Sequence, residues 1–339
     1  MVCEMLSIQR AAEGKRLDRS AALLEVQGLT IQFRAGNRRV EAVSDVAFSL
    51  RPGEILGIVG ESGSGKTQIL MSMMGLLAEN GRASGSVKLR GEEILNLPTD
   101  KLDQIRGSVM TMIFQDPMTS LNPFMRVGKQ LTEVLVKHRG IGGQEAVRQA
   151  TAMLEHVRIP EAERRMGMYP HEFSGGMRQR AMIAMSLLCR PALLLADEPT
   201  TALDVTVQAQ ILTLIRDLAR ESGTSVVLVT HDLGVVADLC DRVIVLYGGR
   251  IMEDGPIDDV FYDPKHPYTK GLLRSMPRLD EKTHGELPTI PGQPPILTQL
   301  AGGCPFEPRC ALRQDYCKSE VPPLARSGLR RLACHEVSL

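Results

Sequence analysis

Gly60-Glu61-Ser62-Gly63-Ser64-Gly65-Lys66-Thr67 is a stretch suited to anion chemistry. It fits G-x-x-x-x-G-K-[ST], and each position has a physical purpose. The glycines let consecutive backbone N–H groups curl into a nest around phosphate oxygens. Lys66 supplies a point charge to the β- and γ-phosphates of a nucleotide, and the Thr67 hydroxyl suits Mg²⁺. The bland alternative is a glycine-rich turn with an incidental lysine. The flanks weigh against it, because the loop leaves the apolar run Ile55–Val59 and enters an apolar helical stretch, Gln68 to Leu77. A helix N-terminus there adds its dipole to the anion site. Further along, Leu193-Leu-Leu-Ala-Asp197-Glu198 ends an apolar run in two carboxylates. Beside a phosphate loop, Asp197 suits Mg²⁺ and Glu198 suits a general base that polarises an attacking water. Taken alone, the two acids would equally cap the helix that follows.

These groups need a scaffold, and the hydrophobic pattern supplies one. Short apolar runs at Ile55–Val59, Leu193–Ala196 and Val226–Val229 are the pattern of strands buried on both faces. Leu24–Phe33 and Val40–Leu50 carry β-branched residues in partial alternation around a turn at Gly36-Asn37. Helical stretches are expected at Gln130–Lys137, Gln144–His156, Met177–Leu188 and Thr206–Glu221. Alternating buried strands and helices predict an α/β fold with a largely parallel sheet. The stretch from about Ile113 to Leu188 has helices without a comparable strand, which predicts a helical insertion.

Composition bounds the rest. The chain has 339 residues, with 40 Lys+Arg against 40 Asp+Glu. That length predicts about two domains, and a zero balance gives no support to sequence-independent nucleic-acid binding. No apolar run is long enough to span a bilayer. Charges spread through Met1–Ala22 leave no secretory h-region, so a cytoplasmic location is expected, where seven cysteines argue against a disulfide framework. Twelve of the 20 prolines lie at or beyond Pro256, and Cys304, Cys310, Cys317 and Cys334 fall within the last 36 residues. The last quarter is therefore expected to be a loop-rich appendix.

Phe173-Ser174-Gly175-Gly176-Met177-Arg-Gln-Arg180 narrows the function. It resembles the signature of ABC ATPases, ahead of the acidic strand as in that family. Gln115 in Phe114-Gln-Asp-Pro117, Thr201-Ala-Leu-Asp204 and His231 after Val226–Thr230 follow in the family's order. The resemblance implies an ABC nucleotide-binding domain of the P-loop class over 24–262, with a helical subdomain at about 113–188. It also implies roles. Gln115 sits near Mg²⁺ with Thr67 and Asp197, and reports to a membrane partner. His231 contacts the γ-phosphate, Asp204 belongs to the D-loop, and Phe33 resembles the aromatic that stacks on adenine. Phe33 also fits a core-facing strand residue. Ser174, Gly175, Gly176 and Met177 would close over the nucleotide of a second subunit, so that ATP holds two subunits together. Phe173 and Met177 stand where the commonest signature has leucine and glutamine, a departure that leaves the serine and glycines intact.

Gln115–Pro123, Lys265-His-Pro-Tyr-Thr269 and the tail cysteines resemble ATP-binding subunits of oligopeptide, dipeptide and nickel importers. That implies an ATPase at the cytoplasmic membrane face. Its partners would be a second, homologous ATPase chain, two permeases and an extracytoplasmic substrate-binding protein. A soluble ABC ATPase of translation or DNA repair is the alternative; such proteins commonly carry two cassettes or a long coiled-coil insertion. A regulatory module without turnover would need a damaged acid or histidine, whereas Glu198 and His231 are present. The cysteine spacings, C-x5-C, C-x6-C and C-x16-C, suit a [4Fe–4S] cluster or structural zinc, with free thiols as the third reading. Zinc knuckles usually have shorter spacings, and the resemblance favours the cluster. A loop-rich, proline-rich tail without a sizeable core would need such a staple.

Overall fold

A strand buried on both faces is favoured by apolar residues at successive positions, and the central strand Ile55–Val59 has this pattern. The protein's structure is a computed structural model that describes residues 21–115, 120–200, 204–276, 289–295 and 302–339. It opens with an antiparallel pair, β1 (Leu24–Ala35) and β2 (Arg38–Leu50), joined where Gly36 takes a φ of 60°. β3 (Ile55–Val59) delivers the phosphate loop to α1 (Lys66–Met73). β4 (Gly81–Leu89) and β5 (Glu92–Glu93) return to the first sheet, and α2 (Thr99–Ile105) leads to β6 (Met110–Ile113).

Helices then follow without a strand among the described residues: α3 (Val127–Arg139), α4 (Gly143–His156), α5 (Ala162–Met166) and α6 (Gly175–Leu187). The chain returns to the sheet through β7 (Leu193–Asp197), α7 (Val205–Ser222), β8 (Ser225–Thr230) and α8 (Leu233–Leu239). β9 (Arg242–Tyr247), β10 (Arg250–Pro256), α9 (Ile257–Tyr262) and α10 (Pro267–Arg274) follow, and β11 (Ala325–Ser327) and β12 (Arg330–Leu332) lie in the loop-rich tail.

Two sheets result, ordered β2-β1-β4-β5 and β11-β12-β10-β9-β3-β8-β7-β6. The run β9-β3-β8-β7-β6 is parallel, and β10, β12 and β11 extend one edge antiparallel. Side-chain alternation divides the core. Ile55 and Val59 of β3, Leu194 of β7 and Val226 of β8 face the helices. Leu56 and Ile58, Leu195 and Val227 face the antiparallel sheet. Both sets are fully or almost fully buried, so the continuous apolar runs are the cost of covering each strand twice. This is the α/β fold with a largely parallel sheet that the sequence predicts. β6 is an addition, four residues whose only apolar members are methionines and isoleucine, too short to declare a strand by pattern.

β3 lies in the middle of the parallel run, between β8 and β9. The loop that leaves its C-terminal end therefore opens beside the ends of β7 and β8. That is where an open α/β sheet leaves room for a ligand.

Candidate functional site: a phosphate loop and its acids

The loop departs from β3 along a path open only to glycine at its key points. A Cβ on Gly60 would lie 2.1 Å from the Leu246 carbonyl oxygen. Gly65 caps α1 in the left-handed region at φ 101°, and a Cβ there would lie 2.4 Å from the carbonyl of Ala42 on β2. Ser62 and Gly63 are exposed at the rim, while Ser64 is buried and Gln68 sits half-buried in the first turn of α1. Lys66 is 5% exposed, and its ammonium donates to the carbonyls of Gly60 at 2.7 Å and Glu61 at 2.9 Å. Burial pushes the Lys66 pKa down, and the carboxylates of Glu198, Asp197 and Glu61 pull it back up. A phosphate would offer that ammonium a far stronger anionic partner than two carbonyls.

The acids meet the loop across a sequence gap of 130 residues, where Thr67 Oγ1 donates to Asp197 Oδ1 at 3.0 Å. Asp197 is buried, and burial raises its pKa while the Thr67 hydrogen bond and Lys66 oppose the rise. Hydroxyl and carboxylate oxygens are hard donors, so this pair fits Mg²⁺. Glu198 follows at φ 45°, its N–H held by the Val229 carbonyl at 2.9 Å. Gln115 Nε2 donates to Glu198 Oε2 at 3.3 Å, and His231 Nδ1 lies 3.2 Å from Oε1. Sequence positions 115, 198 and 231 thus converge on one carboxylate beside the phosphate loop.

The remaining candidates lie elsewhere. Ser174 caps α6, its hydroxyl accepting from the Met177 N–H at 3.3 Å, with Ser174 and Gly175 exposed and Gly176 half-buried. Phe173 is buried in the core beneath Arg165, so the replacement of leucine is a packing change. Asp204 caps α7 by accepting from the Val207 N–H at 3.0 Å; Thr201–Leu203 lie outside the described residues, as does Asp116–Thr119 after Gln115. Phe33 is half-buried against Gly81 of β4 and stands opposite Val40 of β2.

In the tail, Cys304, Cys310, Cys317 and Cys334 line one small cavity with His266 and His335. Burial, and then the neighbouring thiols, push Cys304 up to about 11 and raise Cys310, so these two thiols are protonated at neutral pH. Among the described residues, no group of three or more His, Cys, Asp or Glu side chains is arranged to hold a metal ion. The expected metal centre therefore gains no support from a preformed ligand set.

The sequence reading missed what holds Glu61. Its N–H donates to Tyr268 Oη at 3.0 Å, and its carboxylate pairs with Arg309 at 2.7 Å. Both partners come from beyond α9, and no local pattern links residues 207 and 248 positions apart.

The ABC transporter family model matches residues 43–201, and the model for the C-terminal region of oligopeptide/dipeptide transporters matches 252–317. The oligopeptide transport ATP-binding protein OppD of Salmonella typhimurium is 58% identical over 312 residues, covering 92% of this chain and 93% of that protein. OppD of Escherichia coli is 58% identical over 314 residues, with the same coverage. Among solved structures, the dimeric ATP-binding cassette MJ0796 bound to ADP and Pi superposes with a TM-score of 0.62 at 29% identity. It covers 69% of this chain and 98% of that one. With the phosphate loop and acids inside the first match, most of the tail cysteines inside the second, and 58% identity over 92% of the chain, this chain belongs to the ABC transporter ATPases, in the family of oligopeptide transport ATP-binding proteins.

Proposed function

We infer that this chain is the ATP-hydrolysing subunit that powers import of peptides or similar small solutes through a membrane ABC transporter. It would work peripherally on the cytoplasmic face, and no helix among the described residues is long and apolar enough to cross a membrane. The observation that carries the reading is the convergence of Gln115 and His231 on Glu198, beside the Asp197–Thr67 pair and the phosphate loop. Identity to OppD through the tail as well as the cassette favours this over a soluble ABC ATPase.

In this mechanism the loop amides and Lys66 hold the β- and γ-phosphates, and Thr67 and Asp197 would hold Mg²⁺. When bound, Mg²⁺ neutralises charge on the phosphate oxygens. Glu198 takes a proton from the attacking water as its oxygen bonds to the γ-phosphorus. The bond to the β,γ-bridging oxygen breaks, and ADP and phosphate leave. His231 and Gln115 orient the Glu198 carboxylate, and His231 also meets the γ-phosphate. Ser174, Gly175, Gly176 and Met177, at the open N-terminus of α6, serve the nucleotide of a second ATPase chain, with Asp204 nearby in the closed pair. Two permeases and a substrate-binding protein complete the assembly. Glu198→Gln is expected to keep ATP, lose hydrolysis by at least about 100-fold and trap a closed dimer in size-exclusion chromatography. Turnover at the parent rate would sink the assignment of Glu198.

The tail cysteines are assigned to a [4Fe–4S] cluster. That the four thiols line one cavity supports this donor set, and their long spacings, C-x5-C, C-x6-C and C-x16-C, suit a cluster better than a zinc knuckle. Cys304, Cys310, Cys317 and Cys334 would hold the cluster, which would staple a loop-rich tail that lacks a sizeable core. Loading would strip the thiol protons. Anaerobic protein is expected to be brown, with iron and sulfide in equal amounts. A colourless, iron-free anaerobic preparation would overturn it.

A further inference from the structure

The mechanism above leaves one contact unused, and it joins the tail to the phosphate loop. Arg309 ends a short helical turn, Glu307–Arg309, between Cys304 and Cys310, and its side chain is 5% exposed. Its Nη1 donates to Glu61 Oε2 at 2.7 Å and its Nη2 to Oε1 at 3.1 Å, a two-pronged grip on the carboxylate. The other N–H groups go to Tyr247 Oη at 3.1 Å, the Ile290 carbonyl at 3.2 Å and the Pro291 carbonyl at 2.9 Å. All five guanidinium donors are thereby used. Glu61 is held as fully from its other side. Its N–H donates to Tyr268 Oη, and its carbonyl accepts from Lys66 Nζ at 2.9 Å and from the Ser64 N–H at 3.2 Å.

The platform under this pair is aromatic. Tyr247 and Tyr268 pack at 4.5 Å, Phe306 of the tail lies 5.3 Å from each, and the Arg309 guanidinium stands 5.7 Å over the Tyr247 ring. Lysine in place of Arg309 would lose the fork and the stacking.

We propose that Arg309 is a positioning residue for the phosphate loop, through which the folded tail sets nucleotide affinity. Two effects act together. The grip on Glu61 fixes the backbone that must present its N–H groups to phosphate, so the loop loses little freedom when ATP arrives. It also neutralises a carboxylate that would otherwise stand next to a triphosphate and repel it. The inference rests on the reading of this loop as the ATP site.

The test compares full-length wild type, Arg309→Met, Arg309→Lys and the double variant Arg309→Met/Glu61→Gln. The affinity for MgATP is titrated directly, and KM and kcat are measured. Wild type that does not bind MgATP would overturn the ATP-site reading itself. With wild type binding, Arg309→Met is expected to weaken MgATP about tenfold, which is about 1.4 kcal/mol, raising KM while kcat stays within about twofold. The double variant is expected to recover most of that loss, because no uncompensated carboxylate remains. Arg309→Lys should fall between wild type and Arg309→Met. It carries the test alone if the methionine variant fails to fold. Amide exchange at Glu61 should quicken in each Arg309 variant. Unchanged KM in the variants that fold, or a double variant no better than Arg309→Met, would overturn the proposal.

Discussion

Gly65 shows how narrowly the nucleotide site is built at the scale of one residue. Its φ of 101° and the Ala42 carbonyl 2.4 Å from a built Cβ exclude any side chain without movement of β2. Gly65→Ala is therefore expected to cost about 1–3 kcal/mol of stability from backbone strain and to weaken MgATP in parallel, read by thermal unfolding with and without nucleotide. A nucleotide-induced shift equal to the parent's would contradict this account. Glu198 carries related strain, with a non-glycine φ of 45° at the end of β7. The strained backbone is fixed by the Val229 carbonyl, and its carboxylate lies between Gln115 and His231. A row of residue types shows that two acids end a strand; it carries no sign of the backbone angle that aims the second.

At the scale of elements, α10 is set in place by buried polar groups of the core sheet. Glu253 of β10, fully buried, accepts from the N–H groups of Lys265 and His266 and from Arg330 of β12. His266 then caps α10, its Nδ1 accepting from the Tyr268 N–H at 3.0 Å, so Nδ1 must stay unprotonated. Burial pushes the His266 pKa down to about 3, with a backbone hydrogen bond at Ala333 opposing. The folded value lies below the unfolded value of 6.5, so the unfolded chain takes up this proton first. This contribution to stability is complete above about 6.5 and is lost as pH falls towards the folded value, with a slope of up to about 1.4 kcal/mol per pH unit. His266→Asn keeps a capping acceptor without the titration. Urea unfolding at several pH values between 7 and 4 should show a flatter pH dependence for this variant than for the parent. Equal slopes would show that His266 does not carry the effect.

At the scale of the whole molecule, legibility follows sequence separation. The strand, loop and helix at residues 55–73 are contiguous, so glycine spacing and an apolar run sufficed to read them. The helices of the insertion were readable for the same reason, through amphipathic repeats and glycine breaks such as Gly140 after α3. The gathering of positions 115, 198 and 231 was legible only through the family resemblance, because no local pattern brings three loops together. The pairing of β12 with β10 and the Arg309–Glu61 bridge were not legible at all. Both depend on where a proline-rich tail turns back, and neither a three-residue strand nor a single arginine has a periodicity.

The distance of that bridge along the chain also has a consequence for biosynthesis. Glu61 leaves the ribosome 248 residues before Arg309. At about 5–20 residues per second that is an interval on the order of tens of seconds. During it, β3 waits for β8 and β9 to complete the parallel sheet, and the phosphate loop has no guanidinium beneath it. The parallel strands of the nascent cassette are thus all made before its nucleotide pocket is fastened. The fastening marks a chain whose tail has been made and has docked.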